Sequence, residues 1–392
     1  MKLLVICQHY TPEPFRLGDI CEALVQKGHE VHVLTGLPNY PMGTIYEGYR
    51  HRERRNEKIN GVSVHRCFTI PRRTGVFWRV LNYYSFSLSS TLYASRMKSD
   101  FDAVFVNQLS PVMMSRAGVH YCKKHRKKLV LYCLDLWPES LAAGGILKGS
   151  PIFALFKRVS QKIYRCADKI AITSKSFSKY FAENFGIHDT TYMPQYAESL
   201  FSDDACRKEP DEYIDLMFAG NVGVAQSVET IIHAAKLTED VPNLRWHIVG
   251  EGTTLKDMVL LAEKFGLNRV IFHGRKPVEE MPRYYAMADA MLVTMKADPV
   301  FSLTLPGKIQ SYMAAGKPIL AAADGETLRV IEDADCGFAC GSEDAERLAE
   351  CVRAFVACDN KAQLGRNASS YYQENFTKDK FMTTLEALLN AQ

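Results

Sequence analysis

Leu3-Leu4-Val5-Ile6-Cys7, the helical run Asp19–Lys27, a stop at Gly28 and then Val31-His32-Val33-Leu34 decide the fold. Strand, helix and strand close within about 35 residues, the spacing of a βαβ crossover in a parallel, doubly wound sheet. The unit recurs with Ala103-Val104-Phe105-Val106, a helical stretch through Val112–His125, Leu129-Val130-Leu131-Tyr132 and Lys169–Thr173. A second series restarts at Ile214-Asp215-Leu216-Met217-Phe218-Ala219 and runs through Trp246–Val249, Val270–Phe272, Ala290–Thr294 and Pro318–Ala321. The expected class is α/β, with two doubly wound domains facing across a cleft. Their bounds are 1–196 and 197–376, with an acidic linker at about 196–213. An amphipathic helix at 377–392 (Phe381, Leu385, Leu388, Leu389) is expected to pack back toward the first domain.

Composition agrees with two globular domains. The 392 residues are 47% hydrophobic and 23% charged, which excludes disordered and fibrous classes. The net charge of +4 hides an asymmetry: residues 1–199 hold 28 Lys+Arg against 15 Asp+Glu, or +13, and the remainder holds 20 against 29, or −9. Such a split predicts an anionic partner for the first half. Eleven scattered cysteines without CxxC spacing read as free thiols of a reducing cytoplasm, and no metal site is expected. Met1 runs straight into a strand, so no signal peptide is expected, and no apolar run reaches the ~18 residues of a membrane span.

Chemistry-bearing residues cluster at strand ends. The first loop, Gln8-His9-Tyr10-Thr11-Pro12-Glu13-Pro14-Phe15-Arg16, lacks the GxGxxG of a dinucleotide site. Its Arg16 meets an anion at a helix start or is simply solvated. Asp135 in Leu134-Asp135-Leu136-Trp137-Pro138-Glu139-Ser140 directly follows a buried strand, where α/β enzymes keep functional groups; helix capping is the bland alternative. Trp137-Pro138 offers a rigid wall for a sugar or lipid, and with His9 and Glu139 it is assigned to the acceptor side.

In the second half, Gly220-Asn221-Val222-Gly223 and Gly250-Glu251-Gly252 are glycine-bracketed turns that let a ligand approach the backbone. The strongest stretch is Asp298–Lys308, in which Ser302, Thr304, Pro306, Gly307 and Lys308 lead into a helix that carries Gln310. Small and hydroxyl residues, then Pro-Gly, then a lysine suit a diphosphate. Basic runs at Arg50–Lys58, at Arg72-Arg73 with Arg79, and at Lys123, Lys124, Arg126, Lys127 and Lys128 lie on the first half, with Trp78 beside the second run. Basic residues among aromatics fit a nucleic-acid surface or a membrane interface. No nucleic-acid-binding module accompanies them, so an anionic membrane surface is the preferred partner and no nucleic acid is expected.

Gly28-His29-Glu30-Val31, Gly36-Leu37-Pro38-Asn39-Tyr40-Pro41, Asp135–Ser140, Gly220–Gln226 and Met313-Ala314-Ala315-Gly316-Lys317-Pro318 occur in that order. Together they resemble the retaining family-4 glycosyltransferases over essentially the whole chain. The branch they resemble most is the bacterial L-fucosamine-transferase-like enzymes of O-antigen and capsule gene clusters. The resemblance implies a GT-B fold of two Rossmann-like domains, with the nucleotide-sugar donor, UDP-linked, held mainly by the second. It implies an acceptor on the first domain, a sugar on a polyprenyl diphosphate at the cytoplasmic face of the plasma membrane, where the enzyme is peripheral. No cofactor and no metal are implied, since positive side chains and helix dipoles neutralise the leaving diphosphate.

Three departures from the family pattern stand out. The two carboxylates of a Glu-x7-Glu pair fall here on Leu303 and Ser311, a paired Arg and Lys fall on Asn221 and Gln226, and Pro12–Arg16 replaces a Gly-Gly loop. Lys308 is therefore expected to supply most of the phosphate charge, with Arg275, Lys296 or Arg16 helping. Glu251, Asn221, Gly223, Gln226, Gly220, Gly250 and Gln310 complete the donor set, and Asp135 orients donor or acceptor. A nucleotide-sugar 2-epimerase and a non-catalytic sugar-nucleotide-binding protein are the alternatives.

Overall fold

The computed structural model describes residues 1–50, 53–143 and 145–391. His51 and Arg52, part of the first basic run, lie outside the described residues. The chain divides into two compact units, Met1–Met193 with Met382–Gln392, and Pro194–Phe381.

The first unit holds β1 (Lys2–Ile6), β2 (Glu30–Thr35), β3 (Asn56–Ile59), β4 (Val62–Arg66), β5 (Ala103–Gln108), β6 (Lys128–Cys133), β7 (Lys169–Ile172) and β8 (Thr190–Tyr192). Their order is β3-β4-β2-β1-β5-β6-β7-β8. The central β1 and β5 are apolar almost throughout and buried, because helices cover both faces of a parallel sheet. Among the described residues only β3 and β4 pair antiparallel. Asn60-Gly61, with φ of 47° and 88°, joins them as the two-residue turn that suits a hairpin.

The second unit holds β9 (Ile214–Ala219), β10 (Leu244–Val249), β11 (Val270–Gly274), β12 (Ala290–Thr294), β13 (Ile319–Ala322) and β14 (Gly337–Cys340), in the order β11-β10-β9-β12-β13-β14. All its pairings are parallel. Phe218, Trp246, Ile248 and Leu292 from the sheet join Ile231, Val352 and Phe355 from helices in one core. In each sheet the order reverses once, between β1 and β5 and between β9 and β12. Connections there leave to opposite faces, which opens a crevice at the carboxyl ends of those strands.

Three details differ from the sequence reading. Residues 196–213 are docked on the second unit: Phe201 stacks on Tyr285 at 4.7 Å, Cys206 is buried, and Lys208 ion-pairs with Asp211, Asp215 and Asp289. Acidic composition looked like a free linker, but part of that acid is neutralised by Lys208. The last helix, Lys378–Asn390, changes unit within its length, joining the first from Met382 onward. Glu386 there binds Lys27 at 2.5 Å and His29 at 3.3 Å. The short edge strand β14 carries too little apolar pattern to be read. All eleven cysteines are free. Among the described residues no helix is long and apolar enough to cross a membrane.

Candidate active site

The second unit's site is built where β9, β10 and the segment before helix Lys308–Ala314 converge. From Ala219 the chain turns through Gly220–Gly223, and Gly220 N donates to Val249 O (2.9 Å) while Val222 N donates to Glu251 O (2.8 Å). Gly220 and Gly250 have φ of 144° and 149°, a region that disfavours side chains. A Cβ on Gly250 would stand 1.8 Å from Gly220 O, so the two turns touch backbone to backbone. A Cβ on Gly220 would stand 3.0 Å from Lys308 Nζ. The glycine leaves the room into which the lysine runs.

Lys308 opens its helix between Leu305 and Ile309, both buried. Its Nζ lies 3.7 Å from the centroid of the Phe218 ring. That ammonium is buried without a hydrogen-bond partner, and among the described residues no carboxylate pairs with it. Burial holds its pKa down at about 7, against 10.5 for an ordinary lysine. The ring face offsets part of the cost of desolvating the charge, on the order of 1 kcal/mol, but a buried cation still calls for an anion.

The other donor-side residues divide. Asn221 Nδ2 donates to Gln226 Oε1 at 3.0 Å, so these two exposed or half-exposed amides satisfy each other and bring no charge. A Cβ on Gly223 would stand 2.6 Å from that Asn221 nitrogen. Glu251, Lys296 and Arg275 are exposed, the last just beyond β11, whose Gly274 O receives Gly250 N. Ser302 and Thr304 do not offer donors to a ligand: their single hydroxyl hydrogens go to Pro299 O (2.9 Å) and Val300 O (3.1 Å). Gln310 is buried at the same turn; with its amide turned to satisfy the groups around it, the nitrogen faces the carbonyls of Pro306 (3.2 Å) and Gly307 (2.9 Å). Gly307 faces Gln195, whose Oε1 would lie 3.1 Å from an added Cβ.

The first unit gathers its own cluster at the carboxyl ends of β1, β5 and β6. Asp135 Oδ2 accepts from Ser110 N at 2.9 Å, and burial raises the carboxyl's pKa against the pull of that bond and of the Arg72 charge. His9 is buried, donates or accepts through Nδ1 with Glu13 Oε1 at 2.9 Å, and stacks on Phe15 with centroids 4.9 Å apart. The buried Glu13 carboxylate also accepts from Asn39 N (2.9 Å) and Tyr40 N (2.7 Å), so it fixes two loops and one imidazole at once. Arg16 precedes helix Leu17–Gln26 and belongs to this unit.

Two acceptor-side candidates are buried and already partnered. Trp137 is core: it is 3% exposed, its indole nitrogen donates to Ser110 Oγ at 2.8 Å, and its ring meets Phe156 edge-on. Glu139 is a buried tie, accepting from Tyr180 (3.1 Å) and pairing with Lys148 (2.6 Å). Trp78 sits on helix Val76–Arg96 under the Arg73 guanidinium, 4.6 Å from the ring centroid. Of the third basic run, Lys123, Lys124 and Arg126 are exposed and Lys127 half-exposed, while Lys128 binds the carbonyl of Ala391.

Residues 16–194 match the model of Glycosyltransferase Family 4, and residues 203–371 that of Glycosyl transferases group 1. The chain is a glycosyltransferase of these two domain families. It is 25% identical over 350 residues to the putative colanic acid biosynthesis glycosyl transferase WcaI of Escherichia coli, covering 83% of this chain and 84% of that one. It is 28% identical over 286 residues to the probable glycosyltransferase WbjE of Pseudomonas aeruginosa, covering 67% and 69%. Its fold is that of Anabaena Alr3699/HepE (TM-score 0.72, 17% identity) and of WaaG, a glycosyltransferase involved in lipopolysaccharide biosynthesis (0.70, 14%), each matched over 100% of both chains. These are two-domain GT-B enzymes.

Against the family pattern, the glycosyltransferase carries Ser311 where a second glutamate was sought. Ser311 Oγ donates to Glu198 Oε2 at 3.3 Å, so a carboxylate from residues 196–213 stands beside that position. Sequence reasoning missed Glu198 because it lies outside the motif, and missed Glu13 because a carboxylate between two prolines looked like loop chemistry. A histidine four residues before it was the available signal.

Two outcomes follow from this geometry. Lys308 binds fewer protons folded than unfolded between pH 7 and 10.5, so it makes the ligand-free protein more stable as pH rises through that window. Lys308→Met is expected to raise Tm at pH 7, and the wild-type-minus-variant difference to shrink toward pH 10.5; thermal unfolding across pH reads both. Gly250→Ala is expected to lower Tm by several degrees, since the contact with Gly220 O cannot be relieved by a rotamer and such strain costs about 1–3 kcal/mol or more. A melting curve unchanged from wild type would refute the close backbone packing.

Proposed function

We propose that this glycosyltransferase moves a sugar, with retention and without a metal, from a nucleoside-diphosphate donor onto a sugar carried by a polyprenyl diphosphate in bacterial surface polysaccharide assembly. The observation that carries the reading is the buried, unpaired Lys308 ammonium over Phe218, beside the Gly220 and Gly250 turns. A diphosphate supplies the missing counter-charge, and a bound anion returns the lysine toward its ordinary pKa. UDP is the preferred nucleotide, a choice supported by HepE, which binds UDP and UDP-glucose. The pathway is supported by relatives named for colanic acid and teichuronic acid biosynthesis. The L-fucosamine-transferase-like branch is the subgroup this reading favours.

In the reaction, the bond from the donor's anomeric carbon to the diphosphate oxygen breaks as the acceptor oxygen attacks from the same face. The departing oxygen takes the acceptor proton, so no protein nucleophile is required. Lys308 stabilises the charge that grows on the leaving group, and Arg275 and Lys296 add longer-range positive potential. Asp135, pushed toward its protonated form by burial, orients a sugar hydroxyl on the first unit. His9, held by Glu13, contributes a fixed polar contact in the same crevice. The basic first unit, with Lys123–Lys128, suits approach to an anionic membrane face.

A thermal-shift screen of nucleotide-sugars, followed by transfer to a lipid-linked acceptor and determination of the product anomer, tests the whole reading. Turnover of donor without acceptor would favour a 2-epimerase, and binding without turnover a non-catalytic protein. Lys308→Ala is expected to lower kcat/KM at least about tenfold, because a charge-assisted hydrogen bond contributes roughly 1.5–3 kcal/mol. An unchanged kcat/KM would remove Lys308 from the mechanism.

A further inference from the structure

Helix Val76–Arg96 carries an apolar stripe that the fold leaves uncovered. Phe77 (67% exposed), Val80, Tyr84, Leu88 (57%) and Leu92 (54%) follow one another at three- and four-residue steps and share one face, with Val76 (73%) exposed at the helix start. The opposite face, with Asn82, Phe86, Ser87, Ser90 and Ala94, is buried in the first unit. From Phe77 to Leu92 the stripe is about 22 Å long, on a helix of 21 residues. Isolated exposed apolar residues are ordinary, whereas a contiguous patch of this length marks a contact surface.

Charge identifies what it contacts. Residues 58–99 contain seven basic residues and no acidic one. Arg72 and Arg73 enter the helix, and Arg79 is exposed on its first turn. At the far end, Lys124 Nζ donates to Ser95 O (2.6 Å) and Tyr121 to Lys98 O (2.8 Å), which brings the Lys123–Lys128 run against the helix C-terminus. An apolar stripe is thus bounded by cations at both ends, the pattern of a helix lying in a lipid headgroup layer.

We propose that this face of helix Val76–Arg96 lies in the plane of an anionic bilayer, with Phe77, Leu88 and Leu92 at the acyl boundary and the arginines among the phosphates. The proposal deepens the lipid-linked-acceptor reading and rests on it for its purpose. Membrane contact is then partly apolar, so salt weakens it without abolishing it, unlike adsorption through Lys123–Lys128 alone.

The test uses the full chain with vesicles of phosphatidylethanolamine and phosphatidylglycerol, against pure phosphatidylcholine. Trp137 and Trp246 are buried (3% and 2% exposed), so an emission change reports on Trp78. The expected result is a blue shift of Trp78 on anionic vesicles and quenching by brominated acyl chains. Phe77→Ser with Leu88→Ser and Leu92→Ser should cut partitioning at least about tenfold, with Tm, donor binding and transfer to a soluble acceptor unchanged. Undiminished partitioning by the triple variant would overturn the proposal, as would Trp78 emission unmoved on bound vesicles. A wild-type dimer that the variant converts to monomer would assign the face to a second copy instead. Vesicle binding without sugar transfer would sink the transferase reading and leave this one standing.

Discussion

A lysine amine is buried over an aromatic ring, with no acidic partner among the described residues, and much of the second unit's site follows from that. Gly220 has no side chain because Lys308 occupies the space where one would go. Gly250 has none because its turn closes against Gly220. The helix that starts at Lys308 is seated by Leu305 and Ile309, and Gln310 is buried to close its first turn. Burial at the carboxyl end of the central strand holds this lysine's pKa down at about 7, so charging it without a counter-ion is costly. In an acidic half of the chain, that expense makes physical sense where an anion binds.

The first unit solves a different problem with the opposite charge. Glu13 is a buried carboxylate whose oxygens are used by an imidazole and by two backbone amides of another loop. One unit therefore offers a buried lysine without a counter-charge, and the other a fully engaged carboxylate together with Asp135, raised toward neutrality just beyond β6 of the same sheet. On the proposed reading, the positive charge of the second unit meets a phosphate leaving group, and the polar groups of the first meet sugar hydroxyls. The helix Val76–Arg96, apolar on its exposed face and flanked by cations, adds a third chemistry to the surface of the first unit.

Much of the fold was legible because parallel strands covered on both faces must be apolar runs, and Leu3–Cys7 and Ile214–Ala219 are such runs. The parallel, doubly wound class followed from the βαβ spacing, whereas strand order and register came only with the structure. The hairpin β3–β4 was hidden inside a basic stretch, although Asn60-Gly61 marks it. Lys308 was legible from Pro-Gly-Lys ahead of a helix. The packing of Trp137 was not legible, because a Trp-Pro pair beside a strand end looks like an open wall and only the structure shows Ser110 and Phe156 against it. The partners of Ser302, Thr304 and Gln310 were hidden in the same way, since hydrogen bonds to local carbonyls leave no trace in composition. Glu198 was illegible because its partner, Ser311, is over a hundred residues away.

Proton uptake tests the account most directly. Calorimetric titration of the protein with UDP near pH 8, in buffers of different ionisation enthalpy, reads the protons taken up per diphosphate bound. If Lys308 is largely neutral when free and charged when it meets the diphosphate, close to one proton enters from solution, and Lys308→Met abolishes the uptake. Tight UDP binding with no uptake, or with uptake unaltered in Lys308→Met, would contradict the assignment of the buried lysine as the diphosphate's counter-charge.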